Sequence, residues 1–246
     1  MAGAVTRRAA KTLDRMLSKV GAASRSDARG LVAAGRVSVN GRVVRDPGVW
    51  IDPARDRLAL DGRPLAVAKR VYLLVYKPRG YLTTRRDKAG RKTVYDLIGA
   101  RDGHVFPAGR LDLDTSGILV MTNDAALAER LTSPDHAVPK TYLVKSSMHL
   151  DDAQLGLLRA GLVLRDGPTR PARVERLRER GGRTVFEITI TEGRNRQVRR
   201  MVEALGAKVL KLVRVAIGPL RIGTLPIGGW RELTREEVRA LTSSRS

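Results

Sequence analysis

The feature that most constrains the fold is the spacing of apolar residues and glycines in one stretch of the chain. One set of apolar residues has the i, i+3, i+4, i+7 spacing of a helical face, namely Leu13, Met16, Leu17 and Val20. Gly21 predicts the end of this helix, and residues 24–27 (SRSD) form a capping-box pattern that opens a second helix ending at Gly35. Asn40 and Gly41, between alternating valines, favour the positive φ angles of a tight hairpin turn. The pattern predicts a compact helix–helix–hairpin unit.

The faces of this unit that we expect to be exposed are basic. They carry Arg15, Lys19, Arg25, Arg29, Arg36 and Arg42. Residues 11–52, with GAASRSDARGLVAAGRVSVNG at their centre, resemble the alpha-L RNA-binding module that a small-subunit ribosomal protein shares with several RNA enzymes. The resemblance implies that the helices and hairpin present basic side chains to structured RNA, and we expect Arg25 and Arg36 to bind it. The alternative is a generic helical hairpin with a cationic surface.

The charge of the whole chain supports a polyanionic partner. Lys and Arg number 47 against 25 acidic residues, which gives a formal net charge of +22. Such a balance is typical of nucleic-acid binders, because phosphate neutralisation and counterion release dominate their affinity. A solvated surface in an arginine-rich protein is the alternative. Aromatic residues make up only 4% of the chain, which disfavours a sheet covered with base-stacking rings.

Several classes of site and location are disfavoured by composition. The chain has no cysteine, which excludes a disulfide scaffold, a thiolate nucleophile and a cysteine-ligated zinc site. The spacing of His104, His136 and His149 fits no metal motif, so we expect no metal. Residues 1–20 are basic and amphipathic rather than typical of a signal peptide, and no stretch has the length of a membrane helix. We therefore expect a cytoplasmic protein without a membrane partner.

A second domain is predicted beyond the turn-forming residues Asp61–Pro64. Its strand and helix patterns alternate irregularly, which predicts an α+β fold with a mixed, largely antiparallel sheet flanked by helices. Residues 69–92 hold nine basic residues against the single acid Asp87. Within them, residues 71–76 predict a buried strand, and residues 85–92 form a cationic loop that either grips a phosphate backbone or is simply solvated.

Carboxylates are unexpected in so basic a chain, yet Asp112, Asp114 and Asp124 lie close together around the apolar run 118–121. The loop superficially resembles the nucleophile loop of haloacid-dehalogenase-type phosphatases, but that loop follows an apolar strand, and a Mg²⁺ site needs further ligands. Glycoside hydrolysis by two carboxylates would need a tuned separation and tuned pKa values, which a sequence does not reveal. The third chemistry is a reaction on an RNA base.

Four segments favour this third chemistry. Residues 109–117 (GRLDLDTSG), followed by Thr122-Asn123-Asp124, closely resemble the signature of RsuA/RluB-type pseudouridine synthases. Three more segments match in order: 74–84 (LVYKPRGYLTT), 140–144 (KTYLV) and 192–201 (EGRNRQVRRM). With the alpha-L module, the resemblance extends from about Lys11 to Glu237. It implies that residues 1–65 are the RNA-binding module, that residues 66–246 are a catalytic domain with the pseudouridine synthase fold, and that the activity needs no cofactor.

The resemblance also implies a catalytic set. The catalytic aspartate of the family falls on Asp112, a choice over Asp114 that spacing alone could not make. The active-site tyrosine falls on Tyr142, and the basic residue that pairs with the catalytic carboxylate falls on Arg199. Arg110 is the group expected to fill the gap left by a flipped base. The carboxylate could attack C1′ or the base, or remove a ribose proton, and when buried it needs a cation to stay ionised.

A basic helix is predicted to follow the strand at residues 185–190. Its apolar stripe is Val198, Met201, Val202 and Leu205, with Gly206 at its end. Because a helix dipole disfavours cations near the N-terminus, the arginines there predict anionic partners: a carboxylate for Arg199 and RNA phosphates for the others. The residues expected to bind RNA are Lys77, Arg79, Arg194, Arg196 and Arg200, together with Arg110, Arg25 and Arg36.

The resemblance implies site-specific isomerisation of uridine to pseudouridine in ribosomal RNA. Residues 37–41 (VSVNG) and 93–97 (TVYDL) favour the large-subunit branch, so we expect 23S ribosomal RNA or a pre-ribosomal particle as partner and a monomeric protein. The alternatives are a small-subunit (16S) enzyme and a non-catalytic RNA-binding or ribosome-assembly protein. One departure is Tyr76, where many relatives have asparagine before the lysine.

Overall fold

The computed structural model describes residues 10–65, 69–99 and 104–243. Within these ranges the chain forms two compact units, one from residues 10–65, 69–71, 104–105 and 123–125 and one from residues 72–99, 106–122 and 126–243. The start of the amphipathic stretch and most of the tail at residues 243–246 lie outside the described residues. So does the start of the predicted second domain, and the boundary between residues 65 and 66 stays a prediction.

The first unit consists of short helices and strands. In chain order they are β1 (Lys11–Thr12), α1 (Leu13–Lys19), α2 (Arg25–Ala33), β2 (Val37–Val39), β3 (Arg42–Val43), β4 (Trp50–Ile51), β5 (Leu58–Leu60) and β6 (Arg63–Pro64). Strands β3, β2, β5 and β6 form one antiparallel sheet in that order, and β1 pairs with β4. The predicted helix–helix–hairpin order is confirmed, because Asn40 and Gly41 have φ angles of 52° and 80° between β2 and β3.

Two local signals of this unit act as the sequence predicts and one acts differently. The side chain of Ser24 accepts a hydrogen bond from the Asp27 amide at 3.2 Å and caps α2. The apolar face of α1 packs into the core of the unit. Asp61 and Gly62, with φ angles of 49° and 76°, form the turn between β5 and β6, so this turn lies inside the unit and is not a linker.

The elements from residue 72 onward form the second unit. They are β7 (Tyr72–Lys77), α3 (Val94–Ile98), β8 (Phe106–Pro107), β9 (Ser116–Thr122), α4 (Ala125–Thr132), β10 (Lys140–Ser146), α5 (Asp152–Ala160), β11 (Val163–Leu164), β12 (Gly167–Pro168), β13 (Arg173–Glu179), β14 (Thr184–Ile190), α6 (Gln197–Glu203), β15 (Val209–Ile217), β16 (Leu220–Arg221), β17 (Trp230–Glu232) and α7 (Arg235–Ser243). The main path of the large sheet is β13-β14-β10-β15-β9-β7-β17. Among its described strand pairs, β15 and β9 run parallel and the others antiparallel. The predicted mixed, largely antiparallel α+β fold is confirmed.

Two apolar clusters hold the helices against this sheet. One joins α5 and α6 to β10, β13 and β14, and the alternating residues Phe186, Ile188 and Ile190 lie in it as predicted. The other joins α4 and α7 to β7 and β9. Both clusters remove large apolar side chains from water, which is the main favourable contribution to folding.

The junction of β9 and β15 requires a glycine. Gly117 pairs with Arg214 across the parallel strands and has a φ angle of 122°. A Cβ atom at this position would lie 2.3 Å from the Arg214 nitrogen and 2.4 Å from its carbonyl oxygen. Only glycine permits so close an approach of two backbones. This contact fixes the start of β9, which directly follows the carboxylate loop.

Candidate active site

A cavity of about 540 Å³ lies within the second unit. It falls in the range of roughly 300–1,000 Å³ that is typical of small-molecule sites. Its lining combines the carboxylate loop, β10, β15 and the segment that leads into α6. Among the predicted site residues, those that line it are Arg110, Asp112, Tyr142, Arg194 and Arg196. Four segments that are distant in sequence therefore meet at one cavity.

The carboxylate loop is held by hydrogen bonds to its backbone. The hydroxyl of Thr83 donates to the Leu111 carbonyl at 2.9 Å and accepts from the Leu111 amide at 3.2 Å. The Gly80 amide donates to the Leu113 carbonyl at 2.8 Å. The Lys77 ammonium donates to the Thr115 carbonyl at 2.7 Å. These bonds fix the backbone on both sides of Asp112, and a rigid backbone holds a side chain of a functional site in one position.

The burial of Lys77 contradicts its predicted role in binding RNA. Its side chain is 0% exposed, and its ammonium also donates to the Pro78 carbonyl at 3.0 Å. Burial lowers the pKa of Lys77 from 10.5 to about 8. A phosphate cannot reach a group enclosed in this way. The residue ends the buried strand β7, so its ammonium turns into the loop and satisfies carbonyl groups there.

The position of Arg199 differs from the predicted pairing with Asp112. Its Nη2 lies 3.1 Å from a carboxylate oxygen of Asp114, and it donates to the Asp114 carbonyl at 3.1 Å and to the Thr115 hydroxyl at 3.2 Å. Burial lowers the pKa of Arg199, and the charge of Asp114 opposes that shift. The predicted carboxylate partner for this helix therefore exists, but it is Asp114, because the side chain of Asp112 lines the cavity instead.

Asp112 keeps part of its surface open to the cavity. Its side chain is 32% exposed, and the nearest cation to its carboxylate is Arg196 Nη1, at 3.9 Å, among the ion pairs of the described residues. The same Nη1 lies 3.4 Å from Asp114. Arg196 thus lies between the two carboxylates, and Arg199 fixes the loop that carries both. The carboxylate of Asp112 is left accessible to a ligand in the cavity.

Two further arginines that were predicted to bind RNA have partners within the protein. Arg200 makes a bidentate pair with Asp166, at 2.8 and 2.9 Å. Arg194 donates to the carbonyls of Asp166 and Gly167, at 3.3 and 3.0 Å, and also to that of Pro168. Both guanidinium groups hold the hairpin β11–β12 against α6. These contacts give both arginines a structural role, and their contact with RNA stays a prediction.

The remaining predicted RNA-binding residues are exposed. In the second unit these are Arg79 and Arg110, with Arg196 at the cavity. In the first unit, Arg25 lies 3.9 Å from Asp14, and Arg36 makes a bidentate pair with Asp61, at 2.9 and 2.5 Å. Their contact with RNA stays a prediction.

Tyr142 lies on β10, opposite Arg214 on β15, and its ring is half-buried at the cavity. Sequence reasoning missed two cations beside it. Lys140 and Arg214 line the same cavity and are only 8% and 5% exposed. An arginine inside the apolar run 209–217 was the available signal, because such positions are normally occupied by hydrophobic residues.

Among the described residues, no group of three or more His, Asp or Glu side chains has an arrangement that could hold a metal ion. In the same part of the chain, no helix combines the length and apolarity needed to span a bilayer.

Comparison with known proteins agrees with this geometry. Residues 71–204 match the family described as RNA pseudouridylate synthase, and residues 11–53 match the S4 domain. An RNA pseudouridine synthase of Aquifex aeolicus is 41% identical over 93% of this chain and 92% of its own. Ribosomal large subunit pseudouridine synthase B of Bacillus subtilis is 39% identical over 93% of this chain and 94% of its own. The protein of that name from Escherichia coli is 39% identical over 93% of this chain and 81% of its own.

A solved structure has the same fold. A crystal structure of a pseudouridylate synthase superposes with a TM-score of 0.68 and 32% identity, covering 94% of this chain and 99% of that one. The chain belongs to the RNA pseudouridylate synthase family and carries an S4 RNA-binding domain. It is an RNA pseudouridine synthase, as the motifs predicted.

Proposed function

We propose that this chain converts specific uridines of large-subunit ribosomal RNA to pseudouridine. Two relatives that match 93% of its length at 39% identity are named for that activity. The single observation that carries the proposal is the accessible carboxylate of Asp112 in a cavity of about 540 Å³. A uridine must leave its helical stack to reach such a cavity, at a cost of a few kcal/mol.

Asp112 is the proposed catalytic residue. The reaction breaks the bond between N1 and C1′, rotates the base and joins C5 to C1′, without net oxidation. A carboxylate with an open oxygen can attack C1′ or the base, or remove a ribose proton. The hydrogen bonds around Leu111, Leu113 and Thr115 hold this carboxylate in place, so little reorganisation is needed when the substrate arrives.

Tyr142 and Arg110 are proposed to hold the substrate. The ring of Tyr142 borders the cavity and can stack on the inserted base, which is worth about 1–3 kcal/mol in comparable sites. Arg110 is exposed beside Asp112 and can fill the gap that the flipped nucleotide leaves. Arg199 is a positioning residue, because it does not itself line the cavity and instead contacts Asp114 and Thr115 of the carboxylate loop.

The exposed arginines are the proposed contacts to RNA phosphates. They are Arg79, Arg110 and Arg196 in the second unit and Arg25 and Arg36 in the first. We propose ribosomal RNA or a pre-ribosomal particle as the partner, a cytoplasmic location and a monomeric chain. Affinity should fall steeply with salt, since each neutralised phosphate releases counterions.

Tritium release tests the activity. Purified protein is incubated with 23S or 16S ribosomal RNA that carries tritium at uridine C5, because joining C5 to C1′ releases that hydrogen. We expect release from 23S RNA and none from 16S RNA. Asp112→Asn should abolish release and keep RNA affinity within about threefold, since Asp112 is not a phosphate contact. The control is Glu203→Gln, which removes one negative charge from an exposed position of α6.

The outcomes separate the alternatives. Release from 16S RNA alone would make the chain a small-subunit enzyme. Binding without release from either RNA would favour a non-catalytic assembly protein. Joint loss of affinity and activity in Asp112→Asn would contradict the role given to that carboxylate. Mapping pseudouridines in ribosomal RNA from cells with and without the gene then identifies the modified position.

A further inference from the structure

Two buried cations of the cavity have no carboxylate partner among the described residues. Arg214 donates from Nε to the Ile118 carbonyl at 2.8 Å, whereas its Nη2 is buried and has no hydrogen-bond partner in the described part of the chain. No hydrogen bond or ion pair of the Lys140 ammonium exists within the described ranges, although the residue is 8% exposed. Buried charges in proteins are normally paired, because an unpaired one is costly to desolvate.

These cations also act on one another. Burial and, next, the charge of Arg214 lower the pKa of Lys140 from 10.5 to about 8. Burial, and in smaller part the charge of Arg214, also lower the pKa of Lys77, another buried cation of this region. Lys77 has two carbonyl acceptors, but Lys140 and Arg214 face a cavity. Lys140 and Arg214 form no ion pair with an acid in the described part of the chain, which indicates that a ligand in the cavity supplies their anionic partner.

The ligand group most consistent with this position is the base. RNA phosphates belong to the continuous backbone, and the exposed arginines Arg79, Arg110 and Arg196 are available for them. The part of a flipped nucleotide that enters a cavity is its base, while the ribose carbon C1′ must stay beside Asp112. Uracil has two carbonyl oxygens, and it becomes anionic when the bond between N1 and C1′ breaks.

We propose that Lys140 and Arg214 bind the carbonyl oxygens of the inserted uracil and stabilise the uracil anion during its transfer, an inference that rests on the proposed function. When the N1–C1′ bond breaks, its electron pair goes to the base and is shared by N1, O2 and O4. In the route by C1′ attack, a carboxylate oxygen of Asp112 forms the new bond to C1′. The bond from C5 then displaces that carboxylate, C5 loses its proton, N1 gains one, and the charge disappears. The cations are needed only between these two events.

The effect should be on rate and not on RNA affinity. Removal of one preorganised group that stabilises a developing negative charge typically costs about 10²–10³-fold in rate. We expect Lys140→Met and Arg214→Gln to slow single-turnover isomerisation by about that factor. The dissociation constant for RNA should change less than about threefold, and the slope of its logarithm against that of salt concentration should not change, because no phosphate contact is lost.

The test compares these variants with two matched controls on the same strands. Lys145→Met on β10 and Lys211→Met on β15 each remove one positive charge outside the cavity lining. Circular dichroism checks the fold, and Lys140→Arg, which keeps the charge, should restore part of the rate lost in Lys140→Met. Substrates are 23S RNA with uridine or with 5-fluorouridine. Because the fluorinated C5 has no proton to lose, nucleoside analysis follows loss of the starting nucleoside and not formation of pseudouridine. Fluorine stabilises the uracil anion, so the rate loss should be at least about tenfold smaller for 5-fluorouridine.

Each other outcome would overturn the inference. Rates equal to those of Lys145→Met and Lys211→Met would mean that the cations do not act on the reaction. A weaker affinity with a lower salt slope would identify a phosphate site instead. Equal losses with both substrates, or no rescue by Lys140→Arg, would indicate a purely structural role. If the wild-type protein modifies no ribosomal RNA, the proposed function is overturned, and the inference with it. If the wild-type protein is active and the variants react at the same rate, the inference alone is overturned.

Discussion

Replacing Gly117 with alanine tests the close contact that fixes the start of β9. The added Cβ would lie 2.3 Å from the Arg214 nitrogen, whereas Cβ contacts under 3.0 Å are essentially never found. The two strands must therefore separate by about 0.7 Å or distort. The clash is with backbone atoms, so no side-chain rotation can relieve it.

The expected cost has two parts. A non-glycine residue in this region of φ costs about 1–3 kcal/mol. Overpacking against a neighbouring backbone costs about 1–3 kcal/mol more. The free energy of unfolding should thus fall by about 2–6 kcal/mol, a large part of the roughly 5–15 kcal/mol that holds a typical domain together. The folded fraction should also lose activity, about 10–100-fold, because β9 and the adjoining loop set the position of Asp112.

Urea unfolding of the second unit measures the change. The chain has two tryptophans, Trp50 in the first unit and Trp230 on β17, so a Trp50→Phe background makes Trp230 fluorescence specific to the second unit. The control is Gly156→Ala in α5, where an added Cβ meets nothing within 4 Å and stability should rise by about 0.5–1 kcal/mol. A Gly117→Ala variant within 0.5 kcal/mol of wild type would refute the reasoning.

Three further predictions concern charged residues. Asp114→Asn leaves the buried Arg199 without its carboxylate and should lower the free energy of unfolding, measured in urea, by about 1–2 kcal/mol. The loss should be smaller than for a fully buried pair, because the side chain of Asp114 is 37% exposed. An unchanged free energy of unfolding would contradict the pairing. Since burial lowers the pKa of Lys77 from 10.5 to about 8, the unfolded chain binds more protons than the folded chain between those pH values. The wild-type free energy of unfolding should therefore rise with pH in that window relative to Lys77→Met, and parallel curves would exclude the shift. Arg79→Met should reduce the salt slope of RNA binding by about 1, whereas Arg200→Met, whose guanidinium is held by Asp166, should leave it unchanged in the same titration.

Much of the local structure could be predicted because its signals are contained in short stretches of chain. Ser24 caps α2 through an amide three residues away, and Asn40-Gly41 forms its turn from its own backbone preferences. The alternation of Phe186, Ile188 and Ile190 predicted a strand at residues 185–190, and the structure has β14 at Thr184–Ile190. The family motifs are also contained in short stretches, so they identified Asp112 and Tyr142 as site residues before the packing was known. The structure places both residues at one cavity.

Side-chain partners could not be predicted in this way, because they depend on how distant segments pack. Arg199 contacts a loop 85 positions earlier, Arg214 donates to a carbonyl 96 positions earlier, and Arg200 pairs with a carboxylate 34 positions earlier. Contacts between distant segments decide whether an arginine side chain is exposed to RNA, pairs with an acidic residue or lines a cavity. Lys77 illustrates the same point. Its position in a basic stretch of the sequence predicted an exposed side chain, whereas its position at the end of β7 buries that side chain.

The amino-acid sequence by itself predicted the helix–helix–hairpin unit, the α+β fold, the family and Asp112 as the candidate catalytic residue. Only the tertiary structure decided that Asp114 holds Arg199 and that Lys77 supports the loop from inside. It also decided that Lys140 and Arg214 line the cavity without a carboxylate partner among the described residues. The physical reason is the distance along the chain over which each interaction acts. Capping, turn formation and periodic burial act within a few residues, whereas the environment of a charge is set by every segment that excludes water from it.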